Sequence, residues 1–584
     1  MIIYIMLATM QISQAQPTTL DPGFANGGVL ESPNTNSLSS QATWGIVEMS
    51  DGYYLGVGHK VLAGSFDTRA TLMKYDICGV PDSAFGTNGL SIISSPSGRR
   101  LLSTAAQVLP DGKILVSGAS NSGGEVSTWR PTLFRLMPDG SIDSSYGNNG
   151  EILLQPGGVS SGNFGNMIKI AGDTLLGAIG RFPNINGGSL GVGLMRALPD
   201  GTPDVTFGSG GIRMHSHANM SYSFAEWEQV HKANDSTYLV TRAENTDGGN
   251  FRAVMYAFDI DGNMLTTFGT NGRAQHPTTL RNIGSRGIQS IIDSEGRLVI
   301  ATSDNISGGA KTMVFARYLI DGTLDTTFGD NGTAIVPNTA PTFFGIESRT
   351  LDADADGGII ASYISNDGGG VVRSFFIRLD GDGAVIPGSQ TKLPALNTGI
   401  TGLIQVDEDR WLAQAYGSGA MMYQSQLRLS TNPIVLPSIE ETGSTLTTTG
   451  SGPDFQWFLD GEIIPDATAS VYTPTANGAY TVQMTDVLGC QHLSNAFELT
   501  ELSISENQTA SLQLIKNPVE EQLMLQNDLG DMNFEIYNLL GQRVSSGQLI
   551  NGVNTINVSG LNQGIYLLRT VNEDLSHMKR FMKL

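Results

Sequence analysis

Apolar and polar residues alternate in short runs along most of the chain, and the runs are punctuated by Gly, Asn, Asp and Pro. A period of two marks half-buried strands. In "AAQVLPDGKILVSG" (105–118), "RGIQSIIDSEGRLVIATS" (286–303) and "DADADGGIIASY" (352–363), two such runs flank Asp-Gly or a relative of it, a strong short-range hairpin signal. A second hairpin recurs as "LFRLMPDGSID" (133–143), "LMRALPDGTPD" (194–204) and "FARYLIDGTLD" (315–325). The pattern predicts an all-β chain built from pairs of hairpins, that is, from four-stranded antiparallel sheets.

The first five second hairpins each run into one phrase, of which a further copy opens the chain. Its copies are "LDPGFANGG" (20–28), "PDSAFGTNG" (81–89), "IDSSYGNNG" (142–150), "PDVTFGSGG" (203–211), "MLTTFGTNG" (264–272) and "LDTTFGDNG" (324–332). The aromatic positions, Phe24, Phe85, Tyr146, Phe207, Phe268 and Phe328, are 61, 61, 61, 61 and 60 residues apart. A fixed period of this length marks repeats that bury their faces against one another. First-hairpin turns fall near Asp51, Asp111, Gly172, Asp235, Glu295, Asp356 and Glu408, which predicts a seven-bladed β-propeller over residues 20–433. The seventh unit lacks the phrase that the chain carries at its start, so an N-terminal strand would complete it and remove an open edge. An open solenoid is the rival arrangement.

Comparing the copies assigns work to the phrase. Four residues before the turn stand Lys74, Arg135, Arg196, Ala257, Arg317, Arg378 and Arg428; four after it stand Asp82, Asp143, Asp204, Leu265, Asp325, Ile386 and Leu436. The fourth copy loses base and acid together. This predicts an ion pair in the others, Arg317 with Asp325 for example, and leaves Arg378 and Arg428 to find partners elsewhere. The aromatic residue reads as a wedge between blades, and the glycines as positions of positive φ.

Composition narrows the chemistry. Glycine is abundant at 72 of 584 residues, charged residues make up only 15%, and the formal charge of −22 comes without a basic run, so a nucleic acid partner is not expected. Residues 2–10, "IIYIMLATM", followed by Ser13 and Ala15, read as a signal peptide ending at residue 15, although no Lys or Arg precedes the apolar run. Cys78 and Cys490 lie far apart in different domains, so a disulfide between them is open but not expected, and Cys78 reads as a turn residue. No zinc motif is present. Calcium is the one cofactor considered, at Asp352, Asp354, Asp356 and Gly357; Tyr363 stands where the calcium loop needs Glu, and Asp356-Gly357 is already a turn. His215, His217 and His231 could gather on one face, with no acid in a matching pattern. No catalytic residue is assigned.

The repeated phrases resemble the delta-60 repeat family of secreted bacterial proteins, which implies a propeller-like surface protein. Residues 434–502 change character. Trp457, the Asp460-Gly461 turn, Tyr480 in "GAYTVQMTD" and Cys490 resemble bacterial Ig-like modules, which implies a spacer sandwich. Residues 509–584 contain "LIKNPVEEQLMLQ", "FEIYNLLGQRVSSGQL", "INVSGLNQGIYLLRT" and "KRFMKL". These resemble the type A C-terminal sorting domain of type IX secretion substrates of the Bacteroidetes, matching at Asn517, Pro518, Tyr537, Asn538, Gly541, Gly564, Tyr566 and Lys583. The resemblance implies a small β-sandwich, recognition by the type IX translocon, removal by a sortase, and attachment to lipopolysaccharide on the outer-membrane surface of a Gram-negative cell. The expected function is a secreted, non-enzymatic propeller that adheres or binds an extracellular glycan or protein. A surface hydrolase with its site on one propeller face, and a structural component without a small ligand, are the alternatives.

Overall fold

The computed structural model describes residues 19–31, 38–62, 67–121, 129–154, 162–181, 191–216, 228–245, 250–277, 280–281, 288–304, 312–337, 344–353, 357–366, 372–387, 389, 391–392, 398–407, 409–417, 424–500, 512–572 and 575–584. The signal-peptide reading, His217, Asp354, Asp356 and Glu408 lie outside them. The chain forms two compact units. The first runs to Pro437 and includes Gly450–Asp454 and Gln483–Leu493; the second comprises Ser438–Thr449, Phe455–Val482 and Ser494–Leu584.

In the first unit, the described residues form seven antiparallel sheets in chain order. The first contains Leu38–Glu48, Tyr53–Leu62, Thr68–Asp76 and Leu90–Ile93; the second contains Arg100–Val108, Ile114–Asn121, Arg130–Leu136 and Glu151–Leu153. The remaining sheets begin at Gly162–Lys169, Gln229–Lys232, Ile288–Ile292, Phe344–Ala353 and Thr398–Gln405. These leading strands pack against one another in succession, and Thr398–Gln405 packs back on Leu38–Glu48. The result is a closed, propeller-like ring rather than an open solenoid.

The seventh sheet takes its outer strands from the other end of the chain. Thr19 and Leu20 pair with Ser430 and Leu429, and Val29, Leu30 and Glu31 pair with Leu427, Gln426 and Ser425. This N-terminal closure removes the edge that Gln424–Ser430 would otherwise expose.

Among the described residues, seven apolar layers lie between neighbouring sheets rather than one core shared by the ring. Leu55, Val57, Leu101, Val116 and Phe134 belong to the layer between the first and second sheets. Phe24, Leu30 and Leu412 meet Tyr54, Met73 and Tyr75 where the seventh sheet returns to the first. Alternation along each strand supplies both layers that a sheet touches, which is why Thr68–Asp76 is buried along nearly its whole length.

The phrase aromatics occupy these joints. Phe24, Phe85, Tyr146, Phe207, Phe268 and Phe328 are all almost completely buried. Each packs beneath the second-hairpin turn of the next sheet: a Cβ at Gly140 would lie 2.8 Å from the Phe85 ring, and one at Gly383 would lie 2.8 Å from Phe328. Those glycines also have φ of +80° and +84°, so side-chain space and backbone conformation both select them.

In the middle module, Leu446, Trp457, Ala467, Tyr480, Val482 and Leu499 form one apolar cluster. Its sheets are Ile439–Thr442, Thr445–Thr448 and Val471–Tyr472, and Glu462–Ile463, Asp454–Leu459, Gly478–Thr485 and Gln491–Leu493, with Phe497–Leu499 also pairing Gly478–Thr485. The Tyr480 hydroxyl donates to the Ala476 carbonyl at 2.7 Å. The C-terminal domain has its own core of Leu523, Leu525, Phe534, Ile536, Tyr566, Leu568 and Phe581. Its sheets are Leu512–Leu514, Gln522–Asn527 and Gly552–Asn557, and Arg543–Leu549, Met532–Asn538, Gly564–Asn572 and Leu575–Lys583.

Two substitutions separate the requirements on the turn glycines. Gly172 has φ +67° with nothing within 4 Å of a Cβ, so Gly172→Ala is expected to cost only the left-handed backbone, about 1–2 kcal/mol. Gly140→Ala adds a clash with Phe85 and is expected to cost about 1–3 kcal/mol more. Denaturant unfolding of both variants checks this; equal losses would mean that Phe85 does not wedge against the turn.

Candidate functional site

The repeated charges meet at the joints. Asp325 N–H donates to the Arg317 carbonyl at 2.9 Å and Arg317 N–H donates to the Gly332 carbonyl at 3.2 Å, which folds the phrase back along its own strand. The side chains then pair, with Arg317 Nε 2.7 Å from Asp325 Oδ2. The corresponding separations are 2.7 Å for Arg135 and Asp143, 2.8 Å for Arg196 and Asp204, and 2.9 Å for Lys74 and Asp82. Each guanidinium also reaches the next sheet: Arg135 Nη1 donates to the Asp200 carbonyl at 2.7 Å, Arg196 Nη1 to Ile260, and Arg317 Nη1 to Gly381. It also lies over its own phrase aromatic, 4.5 Å from the Tyr146 ring centre and 4.8 Å from that of Phe328. One side chain therefore binds its phrase acid, its wedge and its neighbour.

The wedge glycine supplies a backbone bond across the joint. Gly86 N–H donates to the Asp139 carbonyl, Gly269 to Asp321 and Gly329 to Asp382, each at 2.7 Å. The fourth copy, with Ala257 and Leu265, keeps this bond and the Leu265 N–H to Ala257 carbonyl bond at 2.9 Å. The charges reinforce a fold-back that the main chain makes without them.

Burial pushes the Asp325 carboxyl up, but hydrogen bonds from the Thr327 hydroxyl and N–H, and from Arg317, outweigh it and hold the pKa below the usual carboxylate value. Asp143 is depressed by the same balance, with Ser145, Arg135 and Lys113 as donors. Asp204 is lowered mainly by the Thr206 hydroxyl, and Asp82 by Lys74.

Arg428 finds an acid that its own phrase lacks. Asp21, three residues before Phe24 as Asp325 is before Phe328, places Oδ2 3.0 Å from Arg428 Nε. Asp21 N–H donates to the Arg428 carbonyl at 2.8 Å and Arg428 N–H to the Gly28 carbonyl at 3.2 Å, the fold-back of every other copy made between chain ends. Arg428 Nη1 donates to the Ile77 carbonyl at 3.1 Å, and Nη2 lies 3.4 Å from Asp486 Oδ2. Arg428 and Asp21 are both fully buried. Arg410 also reaches Asp21, at 3.1 Å.

The cysteine pair that the sequence did not lead one to expect is made at the same place: Cys78 and Cys490 form a disulfide across 412 residues of sequence. Cys78 sits in the turn beneath which Phe24 packs, and its carbonyl accepts from Ala25 N–H at 2.8 Å. The Gln483–Leu493 segment belongs to the first compact unit, which brings Cys490 to that turn.

The leading strands are tied to neighbouring sheets by polar side chains. Asn166 pairs both ways with Val230, Gln229 accepts from Ser290 N–H and Oγ at 2.8 Å, and Gly45 N–H donates to Gln414 at 2.9 Å. His231 lies 2.8 Å from Ser290 Oγ, and burial pushes its pKa down to about 4, so it is neutral near pH 7. His215 instead meets the Gly262 carbonyl at 2.8 Å, so the structure does not bring these two histidines to a common partner. Among the described residues, no group of three or more His, Cys, Asp or Glu side chains could hold a metal ion. A pocket of about 950 Å³ opens along Leu90–Ile93, bounded by Gly86, Pro96, Gly140 and Ser144.

In the C-terminal domain, Asn517 Oδ1 accepts from Met582 N–H at 2.8 Å, and the bond from Asn517 to Pro518 is cis. Tyr566 stacks on Phe581 and donates to the Asn562 carbonyl at 2.9 Å. Tyr537 donates to Glu535 at 2.6 Å. Asn538 Oδ1 accepts from the Leu540 and Gln542 N–H groups, each at 3.0 Å, and Gly541 takes φ +76° to finish that turn. Gly564 and Lys583 are paired across neighbouring strands. The residues chosen from sequence are largely framework.

A propeller-like ring of repeated sheets followed by small sandwiches defines the class. Residues 516–583 match the secretion system C-terminal sorting domain family. A sorting domain of this kind marks secretion by the type IX system and attachment at the cell surface. Residues 109–146 and 294–328 match a β-propeller domain of unknown function. No curated protein matches the chain. Solved structures similar to it include the β-propeller domain of the Trilobed protease from Pyrococcus furiosus, 9% identical over 68% of this chain and 96% of that one, with a TM-score of 0.34. The NanB sialidase of Streptococcus pneumoniae is 9% identical over 68% and 70%, with a TM-score of 0.35. Bacillus subtilis levansucrase is 9% identical over 65% and 92%, with a TM-score of 0.33.

Asp21→Asn is expected to destabilise the ring by about 3 kcal/mol, the lower end for a broken buried pair because Asp486 stays beside Arg428. Asp82→Asn should cost less, since Lys74 keeps Asp51 at 2.9 Å. Unfolding curves with equal midpoints for the two variants would contradict this ranking. The depressed carboxylates stabilise the fold at pH values above their unfolded pKa of about 3.9, and that share is lost as pH falls through the lower folded values. Stability measured from about pH 5 downward should therefore drop below about pH 4, and less steeply in Asp325→Asn. In a double-mutant cycle, Arg317→Ala and Asp325→Ala should couple by about 1–3 kcal/mol, whereas additive losses would separate the two side chains energetically.

Proposed function

We propose that the protein is a surface-displayed binding protein. Residues 20–433 act as a seven-bladed β-propeller of delta-60 type that engages an extracellular glycan or protein without turnover. Residues 434–502 are an Ig-like spacer, a reading supported by buried Trp457 and the Tyr480 hydroxyl bonded four residues upstream. Residues 509–584 carry the chain through the type IX translocon of a Gram-negative, Bacteroidetes-type cell. A sortase removes them and lipopolysaccharide holds the remainder at the outer-membrane surface.

The observation that carries the binding reading is the engagement of the repeated Arg and Asp side chains with one another at the joints. Groups copied around the ring hold it together, and the ring offers its faces and the groove along Leu90–Ile93 to a ligand. A hydrolytic second reading rests on the contact between Ser290 and His231, a hydroxyl beside an imidazole, but burial that lowers the imidazole pKa to about 4 makes it a weak base. Ser290 is buried and also bonded to Gln229 and Thr241, which favours its role in joining two leading strands.

The full chain should bind on a glycan or extracellular-matrix array and leave generic hydrolase substrates intact. Turnover abolished by Ser290→Ala would replace this reading with the hydrolytic one, and neither binding nor turnover would favour a structural component. Deletion of residues 509–584 should hold the protein in the periplasm of a type IX-competent host. Surface display of the truncated chain, read by antibody labelling of intact cells, would refute the sorting assignment.

A further inference from the structure

The C-terminal domain exposes a feature that its fold does not use. Between Met532–Asn538 and Arg543–Leu549 the chain turns through Leu539 and Leu540, which are 70% and 83% exposed. Leu540 is the most exposed of the large hydrophobic residues among the described residues. Asn538 at the first position and Gly541 at the fourth suit a tight turn, whose two central positions accept most residue types. Polar residues would serve there equally well, so the geometry does not demand leucine.

The tip is also rigid. Asn538 N–H donates to the Gln542 carbonyl and Gly541 N–H to the Asn538 carbonyl, each at 3.0 Å, while the Asn538 carboxamide accepts from Leu540 and Gln542 and donates to Gln542 Oε1. Two leucines held on such a frame lose little freedom when a partner covers them. The apolar surface continues onto Val544, 38% exposed, on an edge strand whose residues from Arg543 to Gln548 are exposed or half-buried.

We propose that Leu539 and Leu540 are the docking element of the sorting domain, seated in an apolar cleft on a protein of the secretion machinery. The proposal rests on the sorting reading, since residues 516–583 match a domain whose work is to be recognised during export. The positions read from its phrases, such as Asn517 and Tyr566, are engaged within the sandwich, whereas Leu539 and Leu540 of "FEIYNLLGQRVSSGQL" face outward. A lipid surface is the weaker occupant. Stable membrane attachment needs a second signal besides a few apolar side chains. The nearby Arg543 is tied to Glu535 at 2.7 Å, and a chain of formal charge −22 is repelled by anionic lipid.

The test uses the full chain in a type IX-competent host, comparing wild type, Leu539→Ser with Leu540→Ser, Leu539→Met with Leu540→Met, and the 509–584 deletion. Antibody labelling of intact cells should fall about tenfold for the serine pair, as for loss of two hot-spot side chains, and stay near wild type for the methionine pair. The purified serine variant should unfold at the wild-type midpoint, since both side chains lie outside the core. Normal display of the serine variant, with the deletion retained inside, would overturn the docking element and spare the sorting assignment. Display of the deletion would overturn both. Leucine-dependent sedimentation of the purified wild-type chain with phosphatidylglycerol vesicles would overturn the protein cleft in favour of lipid.

Discussion

A ring of sheets gains its last apolar layer only when its two ends meet, so the structure depends on the contact that makes them meet. That contact is built around Arg428, which is fully buried and bonded to Asp21 from the N-terminal strand, to the Ile77 carbonyl of the first sheet and to Asp486 of the Gln483–Leu493 segment. A guanidinium suits the place because its planar fork donates in several directions at once and keeps its charge when buried. Lysine at the corresponding position of the first sheet, Lys74, pairs with two carboxylates, Asp51 and Asp82, that belong to that sheet's own hairpins.

The joints explain why the sequence repeats so regularly. The aromatic wedge, the glycine after it and the guanidinium of one copy meet the second-hairpin turn of the next, as at Phe328, Gly329 and Arg317, so such a copy is at once a donor to one neighbour and a receptor for the other. A change in spacing would misplace both contacts. The fourth copy shows what can be relaxed: Ala257 and Leu265 dispense with the ion pair, while Phe268 and the bond from Gly269 to Asp321 remain. Burial of the wedge aromatic recurs at all six phrase joints, and charge is a reinforcement.

Much of this was legible in the sequence because it is periodic. Hairpins, wedges, turn glycines and the partnership of Arg317 with Asp325 follow from setting the copies side by side. What escaped was whatever depends on chain ends or on single occurrences. Counting forward from Arg428 reaches Leu436, whereas its acid is 407 residues behind it in Asp21, visible only by counting back from Phe24. Cys490 has no copy with which to compare it, and its approach to Cys78 is decided by which compact unit its hairpin joins. Leu539 and Leu540 passed as ordinary apolar residues because periodicity says nothing about which side of a turn meets water.

The disulfide gives the molecule a property that no sheet or joint confers. With Cys78 and Cys490 joined, the intervening chain, which holds the last strand of the first sheet, the whole of the next five sheets and the strands Thr398–Gln405, Arg410–Gly417 and Gln424–Ser430 of the seventh, is a covalent loop. A single cut by an extracellular protease anywhere within that loop leaves one connected molecule. For a protein displayed outside the cell, surface loops between Cys78 and Cys490 can be nicked with both fragments still covalently joined.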